Sequence, residues 1–70
     1  MNKIRIEIAS VPDRENLVAE IWFNESLIAE INQEQNDLKI EFYASKNQSL
    51  PFDELLEALI KAKDKLIENS

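Results

Sequence analysis

The sequence predicts an α+β domain: a four-stranded antiparallel β-meander in the order 1-2-3-4, with one C-terminal α-helix packed on one face. Three observations carry this. Four segments alternate apolar and polar residues with period two, short polar breaks separate them, and after Ser49 the apolar period changes to about 3.6. Short connections make neighbours in sequence neighbours in the sheet, and a one-sided sheet needs a second layer. No repeat, linker or low-complexity segment interrupts the chain, so residues 1–70 read as a single ββββα domain.

The first strand, Lys3 to Ala9, sets Ile4, Ile6 and Ile8 against Lys3, Arg5 and Glu7. β-branched residues at alternate positions mark a half-buried strand. Ser10 to Asn16 breaks the pattern, because Pro12 has no N–H for a ladder and Asp13 favours a turn. The second strand runs from about Leu17 to Phe23, with Leu17, Ala19, Ile21 and Phe23 inward and Val18, Glu20 and Trp22 outward. Asn24-Glu25-Ser26 is a polar break, Leu27 to Asn32 the third strand, and Gln33 to Asp37 a turn. The fourth strand, Leu38 to Ala44, alternates Leu38, Ile40 and Phe42 with Lys39, Glu41 and Tyr43. The chain has no glycine, so turns that require φ > 0 fall to Asn24, to Asn36 or Asp37, and to Asn47.

Phe52, Leu55, Leu56, Leu59, Ile60, Leu66 and Ile67 share one stripe of the C-terminal helix. Ser49 or Asp53 caps it and Pro51 suits its first turn. Early acids (Asp53, Glu54, Glu57) and later lysines (Lys61, Lys63, Lys65) complement the helix dipole. Lys63 points into the apolar stripe, where its stem can cover apolar surface while its ammonium reaches water or a partner's carboxylate.

Composition removes whole classes of function. The chain has 14 acids against 8 bases, a net charge of −6, and neither cysteine nor histidine. Disulfide frameworks, thiolate metal sites, His-based catalysis and glycine-rich phosphate loops are therefore excluded. No apolar run reaches the roughly 18 residues of a membrane span, and dispersed bases give phosphate no footing. The sequence therefore predicts no enzyme, no cofactor, no membrane and no direct nucleic-acid contact, in a cytoplasmic setting.

Requiring apolar residues to share a face pairs Ile8 with Leu17, Phe23 with Leu27 and Ile31 with Ile40. The outward residues then form three rows: Lys3–Trp22–Ile28–Tyr43, Arg5–Glu20–Glu30–Glu41 and Glu7–Val18–Asn32–Lys39. The first holds the only Trp and the only Tyr, residue types enriched where proteins meet. In the second, Arg5 neutralises Glu20, while Glu30 and Glu41 lack a cation.

These rows name the candidate partner-binding residues: Trp22, Ile28 and Tyr43 with Val18 as anchors, and Glu20, Glu30 and Glu41 as complements to a basic surface. The function they suggest is a small acidic non-enzymatic protein-binding module. By analogy of size and charge it would block a basic protein surface as inhibitors, immunity proteins and antitoxins do. The alternative is a homodimer closed through the same sheet face or through a sheet edge. A third reading is an inhibitor that mimics nucleic acid, or a weak carboxylate metal binder.

Overall fold

The computed structural model describes residues 4–34, 37–43 and 49–69; Lys3, Asn36, Ala44 and Asn47, which the sequence placed in strands or turns, lie outside these. Strands β1 (Ile4–Ala9), β2 (Val18–Phe23), β3 (Ser26–Asn32) and β4 (Lys39–Phe42) precede the helix α1 (Phe52–Asn69). The sheet has the order β1-β2-β3-β4, every pair antiparallel, with α1 on one face. This is the α+β meander the sequence predicts.

Register agrees in part. Ile31 faces Ile40 and Glu30 faces Glu41, as expected. Between β1 and β2, however, Ile8 faces Ala19 rather than Leu17, a slip of two residues. Either pairing keeps the isoleucines inward, so the alternation that fixes the face could not choose between them. The observed one sets Ile6 against Ile21 and Ile4 against Phe23, giving Phe23 an apolar partner that the other register denies it.

β2 and β3 join through the two residues Asn24 and Glu25, between the paired Phe23 and Ser26. Asn24 sits at φ 56°, the left-handed region such a tight hairpin demands and asparagine tolerates. A β-bulge follows the hairpin: Ile21 faces Ala29 but Trp22 faces Leu27, so Ile28 is an extra residue in β3.

The core collects Ala19, Ile21, Ala29 and Ile31 from the sheet with Ala62 and Leu66 from α1. Ala58, Ala62 and Leu66 are the buried residues of the helix. The centre of the helix's inner face is thus its alanines, which let the backbone approach the sheet, and the larger side chains flank them. Acids occupy the first turn, but no base occupies the last, which extends past the lysines; instead Asn69 Nδ2 donates to Lys65 O at 2.8 Å. Helix α1 lies over β1 and β2. β4 is exposed along its whole length.

Candidate functional site

The loop from Ser10 to Leu17 decides the character of the outer sheet face. A turn closed by Arg14 N–H donating to Val11 O at 3.2 Å aims the Arg14 side chain back across the sheet. Arg14 Nε donates to Glu30 Oε2 at 3.0 Å, and Arg14 Nη2 bonds Glu41 Oε2. Asn32 Nδ2 donates to the same two carboxylates, at 3.2 Å to Glu30 and 2.8 Å to Glu41, and Tyr43 OH donates to Glu30 Oε1 at 3.2 Å. One guanidinium, one amide and one phenol thus satisfy two adjacent acids.

The titration of these groups follows from their contacts. Partial burial pulls the Arg14 guanidinium downward, but its bond to Glu41 and the charges of Glu30 and Glu41 outweigh that, leaving it raised. The Tyr43 phenol is also raised, first by burial and then by the charge of Glu30, so it keeps the proton it donates. Glu34 anchors the loop at its other end: its Oε1 and Oε2 accept from the backbone N–H groups of Glu15 and Asn16 at 3.0 and 3.1 Å. Those two bonds lower its pKa from the usual 4.5.

A folded-state value below the unfolded one means a contribution that is complete above pH 4.5 and disappears as pH falls through the lowered folded value. Acidification should therefore release the loop before the strands. Amide exchange at Glu15 and Asn16 is expected to lose protection below pH 4.5, and Glu34→Gln to remove that pH dependence. Unchanged protection in the parent at low pH would exclude this role for Glu34.

The predicted site residues divide into two groups. Glu20, Glu30 and Glu41 do stand in one row, and the slipped register adds Glu7, which faces Glu20. Arg5, expected beside Glu20, instead faces Trp22, with its guanidinium 4.8 Å from the ring centroid, and pairs with Glu7 at 2.7 Å. Trp22 is half-buried and its Nε1 donates to Glu20 Oε1 at 3.3 Å. Tyr43 is exposed.

Val18, Ile28 and Glu30, however, are only 0, 3 and 6 % exposed. They are corrected from surface to interior: the Arg14 loop folds over the row that holds Val18 and Asn32, and the bulge inserts Ile28 into packed structure. The acids short of a cation are also corrected, because Arg14 supplies it. Arg14 is the residue the sequence reading missed. Its signal was available: a carboxylate row needs a cation, and the eight-residue loop is long enough to return one. Among the described residues, no group of three or more His, Cys, Asp or Glu side chains is placed to hold a metal ion.

The uncovered apolar surface lies instead on the helix side. On β4 and just before it, Leu38, Ile40 and Phe42 are 41, 39 and 63 % exposed. On α1, Phe52, Leu56, Ile60 and Ile67 are exposed as well. At about 100° per residue these four centre about 125° round from the buried stripe, turned mostly away from the sheet and displaced toward one flank. A shallow cleft of about 230 Å³ shows which flank, since Leu59 and Lys63 line it together with Ile31, Leu38, Lys39 and Ile40. A second cleft on the β1 side, about 210 Å³, is lined by Ile4, Ile6 and Ala58 with Glu54, Glu57 and Lys61.

Set against models of protein families, curated proteins and solved structures, the chain matches none. The site is therefore interpreted from its own geometry. That geometry separates a polar face, on which Arg14 pairs with Glu30 and Glu41, from an apolar strip that ends at a sheet edge. No helix among the described residues is long and apolar enough to cross a membrane.

Proposed function

We propose that this chain is a small acidic non-enzymatic protein-binding module, and that it binds through β4 and the neighbouring flank of α1. The occupant is an extended strand with apolar residues at alternate positions, adding to the β4 edge by main-chain hydrogen bonds while its inward side chains meet the apolar strip. The observation that carries this reading is the exposure of Leu38, Ile40 and Phe42, the residues whose alternation marks them for a core. A strand edge left uncovered, with its apolar face open, is what proteins ordinarily blunt with charge, proline or a covering element.

Glu30 does not motivate a basic partner in this reading, because it is buried and bonded by Arg14, Asn32 and Tyr43, whereas Glu41 is bonded through Oε2 and stays 46 % exposed. Among the described residues, these two clefts are each smaller than the roughly 300 Å³ at which small-molecule sites begin. A photo-crosslinking phenylalanine analogue placed at Phe42, and separately at Trp22, tests the surface in the cell that produces the chain. Adducts from position 42, mapped by mass spectrometry to one strand-forming peptide, are expected. Adducts from position 22 alone, or from neither, would overturn the assignment.

A further inference from the structure

We infer that the strand completing the open face is β4 of a second copy of this chain, paired antiparallel across a two-fold axis at Ile40. The inference rests on the reading of β4 as a docking edge given above.

The backbone sets the first condition. Tyr43 N–H donates to Ile28 O at 2.9 Å, and in an antiparallel ladder the bonded residues alternate. Lys39, Glu41 and Tyr43 therefore turn their N–H and C=O toward β3, while Leu38, Ile40 and Phe42 turn theirs outward, to the edge. A two-fold centred on Ile40 bonds Ile40 to its own copy and sets Leu38 opposite Phe42 of the second copy. All three are apolar and all face the helix side.

Charge sets the register. With Ile40 on the axis, Lys39 of each copy stands opposite Glu41 of the other, which makes two pairs of opposite sign. A shift of one residue brings two Glu41 carboxylates together, and a shift the other way brings two Lys39 ammoniums together. Directly opposed like charges destabilise a sheet. Of the three registers, the one at Ile40 alone has no such clash.

An axis perpendicular to the joined sheet leaves both helices on the same side, each over its own β1 and β2, so the seam is lined by Leu38, Ile40 and Phe42 of both copies. A stable interface takes about 800 Å² from each partner, more than a four-residue edge supplies, so the dimer is a weak one. The opposite edge is a poorer candidate: Ile4, Ile6 and Ile8 of β1 already pack against the core, and Glu54 and Glu57 flank them.

Sedimentation velocity from micromolar to millimolar concentration tests the association, and single-cysteine variants of this cysteine-free chain test its register. A concentration-dependent dimer is expected, weakened at least about tenfold by Lys39→Glu, which replaces attraction to Glu41 by repulsion. Ile40→Cys should oxidise to a covalent dimer, since bonded antiparallel partners lie about 5.5 Å apart, within disulfide reach. Phe42→Cys should not, its two copies being about 13 Å apart. Circular dichroism confirms that each variant is folded. A chain monomeric at every concentration overturns the dimer, and β4 docking survives if position 42 still crosslinks to another polypeptide. A dimer indifferent to Lys39→Glu, with no disulfide at position 40, overturns the β4 pairing itself.

Discussion

Arg14→Met is expected to cost this protein more stability than any other single exchange of a charged side chain. The substitution keeps the length and apolar bulk of the stem while removing the cation shared by Glu30 and Glu41. Glu30, 6 % exposed, would keep its bonds from Asn32 and Tyr43 but lose its ion pair with Arg14, with the Glu41 carboxylate directly opposite across the ladder. Removing one member of a deeply placed ion pair leaves a charge with neither water nor a counter-ion. A melting temperature roughly 10 °C below the parent's is expected. Arg5→Met is the control: its pair with Glu7 is about half exposed, so solvent already screens it and the change should be small. Adding Glu41→Gln to Arg14→Met should recover part of the loss, because it removes the unbalanced repulsion. Thermal melts at one fixed protein concentration decide the matter, and equal losses for Arg14→Met and Arg5→Met would refute the role given to Arg14.

Leu66→Ala should be the second large effect. Leu66 is fully buried, and deleting such a side chain costs about 2–5 kcal/mol through lost transfer energy and the cavity left behind. A domain of this length has a total stability of about 4–10 kcal/mol, so the variant should be near the limit of folding at ordinary temperature. Leu56→Ala removes the same atoms from a side chain that is 45 % exposed and should cost about 1 kcal/mol or less at concentrations where the chain is monomeric. Urea titrations of the two variants therefore test which side of α1 faces the sheet. A costlier Leu56→Ala would mean that the helix is rotated from the orientation described.

The element order, the face of each strand and the helix were legible because they rest on periodicity, a local signal that every residue of a segment repeats. Asn24 in the tight turn was legible for a related reason: without glycine, few residues can take a positive φ. What could not be read depends on distances along the chain that periodicity does not encode. Registers that differ by two residues preserve the same face, so Ile8 opposite Leu17 and Ile8 opposite Ala19 look alike until Phe23 is given a neighbour. The bulge at Ile28 adds one residue with no compositional mark.

The candidate site was legible as a row of acids and illegible as an environment. Alternation placed Glu20, Glu30 and Glu41 side by side, but it assigns no partner to a loop, and Arg14 lies in one. The helix stripe misled in a similar way. Ala58 and Ala62 contribute little hydrophobicity, so the stripe's apparent centre fell among Leu56, Lys63 and Ile67, on the flank that remains exposed.

The bond between Arg14 and Glu41 ties the first connection of the chain to its last strand. The bond joins residues 27 positions apart, a costly closure, and we expect it to form after the rate-limiting barrier to folding. Breaking it should leave the refolding rate almost untouched and quicken unfolding, so the side chain governs how long the native state lasts and not how fast it forms.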